Sequence, residues 1–481
     1  MQRYFFPIKL FKFTACLALL LVCIVVFGVS ENLLCAESIE LPDNKSSVHL
    51  SLEDAVYHAF THTGRAGIAE ERVLAQEAIA GQSRALRMPQ INTSLMFSYI
   101  DQMRSPLPSG SLLNSVIPIG DFLPDRDTLT AQVNLDQVLY AGGGIQAGIR
   151  AMEALSTAER HRYEFTLSSI EQEVKDAYVQ LQYTGALLEV AQESVDTFQK
   201  HLEDTQQLQD AGMVTSFEVL RAETELGARM TELTSTRTGN EMARIHLCRL
   251  LGVSQDSLIH LTDTLDWKPV ETSLEEYLAT ALQYRPELNA LEAAGLAAEA
   301  ELKRVRADYL PRASARVQYQ KIEGGGLMMP DGWSIQVGGE WSIYAGGRRK
   351  QATLEAQARK RETGYELRDT LALVEMDVRQ AYLRTLESIE KIQQETRRVQ
   401  LAAEGLRLAH IRYEEGVSVQ TEILDAALAH RQAQTGHIAT LREHAEARNA
   451  LIRATAKDTL ARHWLGKENP YGEDYPESSS E

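Results

Sequence analysis

Three histidines, His430, His437 and His444, recur every seven residues, a regularity that invites a metal-centre reading. On a helix, however, adjacent members stand about 10.5 Å apart along the axis, too far to share one ion. His58 and His62 have the i,i+4 spacing that puts two imidazoles on one helical face, but no third ligand accompanies them, and a helix-surface pair is the simpler reading. Gly142-Gly143-Gly144 lacks the Lys-Ser/Thr with which a glycine loop grips phosphate, and Gly324-Gly325-Gly326 falls in an expected external loop. A nucleophile, a base and a group to orient them cannot be assembled. Neither an enzyme nor a cofactor or metal is expected.

The charges that do carry information are Asp136, Arg312, Arg316 and Glu340, because of the strands in which they sit. Four segments alternate in character: about 89–99, 128–140, 311–320 and 333–344. Ile91, Thr93, Leu95, Phe97 and Tyr99 share one parity of the first, with Asn92, Ser94, Met96 and Ser98 opposite. The same split recurs in the other three, and all four charges fall on the polar parity. An Arg or Lys facing lipid at mid-membrane costs about 2–4 kcal/mol, whereas one facing a watery lumen costs little. The segregation therefore fits a membrane β-barrel with these four residues in its lumen, as well as a half-buried soluble sheet. Strands of about 9–11 residues suit a tilted membrane span. An open edge in lipid leaves backbone groups unpaired, so four strands must be completed by other copies. Two copies would give eight strands, filled by side chains; three would give twelve and leave room for water.

The elements that position these strands are long helices, and the pattern occurs twice. Met88-Pro89 aligns with Leu310-Pro311 at an offset of 222, while Asp176-Ala177-Tyr178 aligns with Gln380-Ala381-Tyr382 at an offset of 204. A constant register over such lengths is a strong repeat signal. The first repeat covers 37–259 and the second 273–465, with a linker at 260–272 and a polar, disordered tail at 466–481. Between Gly144 and Gly212 there is no proline, and Leu167, Val174, Leu181, Leu188, Val195 and Leu202 recur every seven residues. Leu371, Val378, Ile392, Val399 and Leu406 repeat that seam in the second copy. Helices at about 144–211 and 346–415 follow, each about 100 Å long at 1.5 Å per residue. Single shorter helices are expected to lead in (52–87 and 274–308) and out (216 to about 258, and 420 to about 461).

Met1 to about Ala36 has a basic start, an apolar run and small residues, the layout of a signal peptide cleaved after Ser30 or Ala36, with a retained membrane anchor as the alternative. Cleavage after Ala36 would take away Cys16, Cys23 and Cys35 and leave Cys248 alone, so that no intrachain disulfide could form. A net charge of −18 argues against nucleic acid as a partner.

Leu139-Tyr140-Ala141-Gly142-Gly143 is doubled as Ile343-Tyr344-Ala345-Gly346-Gly347, and Ala211-Gly212-Met213-Val214-Thr215-Ser216-Phe217-Glu218-Val219-Leu220 is doubled from Glu415 to Ala426. With these paired signatures the chain resembles the TolC family of outer-membrane efflux and secretion channels over essentially its whole mature length. The resemblance implies a mainly α fold with a small transmembrane β part. It implies a homotrimer whose twelve-stranded barrel continues as an α-helical tunnel into the periplasm. It further implies docking of a periplasmic adaptor, and through it an inner-membrane pump, on Gly212, Met213, Val214, Thr215, Gly416, Val417 and Ser418. Glu218, Tyr413, Glu422 and Asp425 match positions of the periplasmic gate, where carboxylates repeated around a pore would favour cations. An arginine that some members carry two residues after the glycine is Ser418 here, so its salt bridge is not implied. The expected function is a passive exit duct for a tripartite pump or a type I secretion system. A periplasmic coiled-coil scaffold without channel activity is the alternative. Pro106, Pro108, Pro118 and Pro124 mark a longer first external loop.

Overall fold

A computed structural model describes residues 47–99, 127–267, 269–270, 272–323, 331–415 and 417–467. The expected signal peptide with its three cysteines, the first external loop, Gly324 to Gly326, Gly416 and nearly all of the polar tail lie outside the described residues.

Along the chain, β1 (Ser47–Leu50) is followed by α1 (Leu52–His62), α2 (Gly64–Ala85), β2 (Gln90–Tyr99), β3 (Asp127–Tyr140), α3 (Gly144–Asp210) and α4 (Ser216–Leu251). Then come β4 (Leu258–Leu261), α5 (Leu274–Tyr284), α6 (Pro286–Ala307), β5 (Arg312–Glu323), β6 (Gly332–Glu340), α7 (Arg348–Glu414), α8 (Gln420–Thr455) and α9 (Leu460–Lys467). The duplicated sequence thus becomes a duplicated structure, with α3 and α7 each 67 residues long. Their heptad seams are used: Leu167, Val174, Leu181 and Leu202 of α3, and Val378 and Ile392 of α7, are buried.

Several expectations are corrected. Each lead-in is two helices, not one. Thr63 and Arg285 adopt extended backbone at the breaks, with ψ of 125° and 120°. Pro286 accounts for the second break, since a proline disfavours helical backbone in the residue before it. Gly64 starts the helix after the first. The lead-out helices end at Leu251 and Thr455, short of the expected limits. Gly252 stops α4 with φ of 72°, a left-handed cap that glycine adopts freely. Strand β6 stops at Glu340 because β5 begins at Arg312, after a proline without an N–H, and offers nothing further to pair with.

Part of the presumed linker is a strand. β1 and β4 pair in parallel, Ser47 with Leu258 through Leu50 with Leu261. The loop after β4 is pinned to the bundle: Asp263 Oδ2 accepts from the Leu52 amide at 2.7 Å and from the Tyr178 hydroxyl at 2.9 Å. Helix α9 adds Ala461 and Leu465 to the same core as Val56, Phe60, Leu167, Val174 and Leu247. A matching core in the second repeat contains Ala281, Leu288, Val374, Val378 and Leu451.

Candidate functional site

The strands form one antiparallel sheet in the order β2-β3-β5-β6. Register places Asp136 opposite Gln90 and Arg316, and Arg316 opposite Gln336; the next row joins Asn92, Asn134, Gln318 and Ser334. Residues directly opposite one another share a face, so these rows form one polar surface. The other face carries Ile91, Leu135, Val317 and Ile335 in one row and Thr93, Val133, Tyr319 and Trp333 in the next. Ile91, Val133, Trp333, Ile335 and Val337 are all exposed. On the polar face Arg316 Nε donates to Asp136 Oδ1 at 2.5 Å, so two of the four expected lumen charges neutralise each other. Arg312 lies opposite Glu340 but pairs with Asp308, at 2.5 Å.

The segregation of charge is less complete than the sequence suggested. β5 runs to Glu323, which puts Lys321 opposite Ala131 and Glu323 opposite Leu129, on the apolar parity. Both sit at the end of the sheet remote from the helices; in a membrane barrel a long side chain there would reach headgroup water, where the cost of charge falls towards zero. Among the described residues the outer strands β2 and β6 have no second partner. Among the described residues no helix is long and apolar enough to cross a membrane.

At the opposite end of the molecule, α3 turns into α4 through a glycine cap. Gly212 has φ of 74°, and the Met213 amide reaches back to the Leu208 carbonyl at 2.8 Å. Thr215 caps α4, and Glu218 Oε2 accepts from the Thr215 amide at 3.2 Å in a capping box. The Glu218 carboxylate is therefore committed to its own helix, whereas that of Glu422 ties α8 to the end of α7 and the turn between them. Glu422 Oε1 pairs with Arg412 Nη1 at 2.7 Å, while Ser418 Oγ donates to Oε2 of the same carboxylate. A cation thus reaches Glu422 from Arg412, although none stands at position 418. Asp425 is exposed, and among the described residues no ion pair involves it. Apolar residues crowd the tips: Met213 is 74 % exposed, Phe217 69 %, Val417 71 % and Val419 68 %. Val214 is half-buried and Thr215 exposed.

The two tips are joined by a buried cluster that the sequence did not disclose. His201 Nε2 and Gln420 Nε2 meet at 3.1 Å, and the same amide donates to the Glu218 carbonyl at 3.3 Å. The Tyr413 ring lies 6.1 Å from that of His201. Phe198, Leu202, Val219, Leu226 and Leu424, from the same helices, form one buried apolar cluster. Departure from the repeat is the one available signal: at the 204 offset His201 faces Gly405 and Gln420 faces Ser216. Burial, with help from Glu218 and Asp204, raises the Tyr413 phenol above its usual value. Burial lowers the His201 imidazole; His410 adds to the effect and Asp204 opposes it. Just below the ordinary histidine value of about 6.5, the folded tip binds fewer protons than the unfolded chain. The stability contributed here is therefore complete above that pH and is lost as pH falls below it. Amide exchange in the tip segments should accelerate at pH 5.5 relative to 7.5, after correction for intrinsic rates, and His201→Gln should remove most of the difference. An unchanged pH response in the variant would exclude His201 as the responsible group.

His430, His437 and His444 all lie on α8. Among the described residues no cluster of three His, Cys, Asp or Glu side chains could hold a metal ion. His444 is buried with its Nδ1 3.0 Å from Ser388 Oγ, and His58 and His62 stack at 4.1 Å.

A model of outer membrane efflux proteins matches residues 68–253 and 277–457. The alkaline protease secretion protein AprF of Pseudomonas aeruginosa is 26 % identical over 374 residues, 74 % of each chain. The Campylobacter jejuni CmeC outer membrane channel superposes with a TM-score of 0.74 at 15 % identity, covering 86 % of this chain and 88 % of that one. The outer membrane protein VceC of Vibrio cholerae gives 0.70 at 18 % identity, covering 84 % and 96 %.

Proposed function

We propose, from the premise that the chain belongs to the outer membrane efflux protein family, that three copies close into a single exit duct. The chain is an outer-membrane protein that extends into the periplasm, with the fold of channels for efflux and secretion. The observation that carries the proposal is the ribbon β2-β3-β5-β6, apolar on one face, polar on the other and, among the described residues, unpaired at both edges. In lipid each edge must find a strand, and three ribbons make a twelve-stranded barrel wide enough for water. The helices call for neighbours too. Met376, Leu383, Leu401 and Leu408 of α7 are exposed, as are Ile68 and Ile79 of α2 and Met230 and Met242 of α4. Subunit contact would bury these flanks.

Conduction is passive in this reading. Energy enters from an inner-membrane pump through a periplasmic adaptor. The adaptor docks on Gly212, Met213, Val214, Thr215, Gly416, Val417 and Ser418, where exposed apolar side chains form the tip. Tyr413, Glu218 and Glu422 hold the tip in one shape, leaving Asp425 as the carboxylate free to ring the pore. Likeness to a protease secretion protein supports secreted protein as cargo.

Planar bilayer recording of the purified full chain tests the proposal. The protein should conduct with a preference for cations, and Asp425→Asn should reduce that preference about fivefold, the worth of roughly 1 kcal/mol of electrostatic attraction. A protein that never conducts, even with Asp425 neutralised, would be a periplasmic scaffold.

A further inference from the structure

We infer that the junction between barrel and helices carries a cationic collar that docks anionic phospholipid headgroups in the periplasmic leaflet of the outer membrane. The inference rests on the membrane-spanning ribbon proposed above.

Arg348, Arg349 and Lys350 begin α7, eight to ten residues beyond the last residue of β6. Arg349 is built into the joint: it is buried, donates to the Ser342 carbonyl and lies 5.5 Å over the Tyr309 ring. Its neighbours are not. Arg348 and Lys350 are exposed, and so is Arg87, three residues before β2. Among the described residues none of the three has a carboxylate partner. Elsewhere on the helices, cations such as Arg304, Arg359 and Lys360 do find one, in a chain of net charge −18.

Helix stability does not account for them. Cations in a first turn face the positive end of the helix dipole, and α7 has no acidic residue there to offset it. The first repeat, built on the same plan, has Gly144, Ile145 and Gln146 at the equivalent positions. The surroundings indicate what the charges meet. Trp341 is 60 % exposed, Ile343 81 % and Tyr344 86 %, and the Trp341 indole donates to the Tyr309 carbonyl at 3.1 Å. Exposed aromatics at the ends of barrel strands sit at headgroup level. Cations immediately below them face the phosphate layer, where each lysine or arginine adds to the attraction for anionic lipid. The helices leave the barrel at this end, which fixes the leaflet as the periplasmic one.

The test uses the full chain reconstituted in phosphatidylcholine vesicles that contain spin-labelled phosphatidylglycerol or spin-labelled phosphatidylcholine. Electron spin resonance reports the fraction of each label immobilised on the protein. Wild type should hold phosphatidylglycerol about fivefold more strongly, a preference that weakens in high salt. The triple variant Arg87→Gln, Arg348→Gln, Lys350→Gln should bring the ratio near one. Arg348→Lys, which keeps the charge, and Arg237→Gln, far down α4, should leave it in place. Equal retention of both labels by wild type, or a preference that survives in the triple variant, overturns the collar. Conductance of the same samples separates the two readings: a conducting channel without headgroup preference removes the collar alone, whereas a chain that never enters the bilayer removes the barrel and the collar together. If the triple variant fails to insert, Arg348→Gln read against Arg348→Lys decides the matter, since both keep the joint made by Arg349.

Discussion

Val133→Arg is expected to abolish assembly in the outer membrane, while Gln132→Arg leaves it intact. The two positions are adjacent in β3 and differ only in the face they occupy. Val133 lies in a row with Thr93, Tyr319 and Trp333; Gln132 lies opposite Ser94 and Gln320 on the polar face. A lipid-facing arginine near the membrane centre costs about 2–4 kcal/mol, and a trimer would bear that cost about three times over, comparable with the whole stability of a typical domain. The arginine at 132 would face water and add a charge near the Asp136–Arg316 pair. Heat-resistant oligomer in the outer-membrane fraction, read by gel mobility with and without boiling, distinguishes them. Equal behaviour of the two variants would show that the strand faces do not divide lipid from water.

How much of this was legible follows from what kind of interaction fixes each part. Strand parity and heptad seams are local patterns, so the ribbon, the two 67-residue helices and the glycine turns could be read from residues such as Ile91, Val133, Leu167 and Val174. The breaks at Thr63 and Arg285 were harder to see, although Pro286 signalled the second. The β1–β4 pair was invisible because two four-residue strands over two hundred residues apart carry too little pattern to be noticed. At the tip, carboxylate positions were identifiable, but their employment was not. Glu218 closes a capping box and Glu422 is held by Arg412 and Ser418, contacts that depend on how the chain turns. The His201–Gln420 contact joins α3 to the start of α8 across 219 residues of sequence, and nothing in either residue's neighbourhood announces the other.

The glycines after each ribbon lead to the second large effect, and here the two repeats should part company. Gly142 and Gly346 both occupy left-handed backbone, with φ of 61° and 60°. Any other residue pays about 1–2 kcal/mol for that conformation. The surroundings differ. A Cβ at Gly142 would stand 2.8 Å from Leu310 Cβ and 2.9 Å from the Ala307 carbonyl oxygen, whereas a Cβ at Gly346 meets nothing within 4 Å. Leu310 comes from the second repeat, and its counterpart in the first is Met88, which is 65 % exposed. In a closed ring Met88 of the next subunit would cover Gly346 as Leu310 covers Gly142. Gly142→Val should therefore disrupt the junction within one chain, costing about 3 kcal/mol or more from strain and overlap together, and expose it to protease even in the monomer. Gly346→Val should leave the isolated chain resistant to protease while preventing the trimer from closing. Limited proteolysis of detergent-solubilised monomer, beside the yield of heat-resistant trimer, reads the two effects separately. If Gly346→Val assembled as well as wild type, the second junction would have no neighbour pressed against it, and the ring would have to close by some other contact.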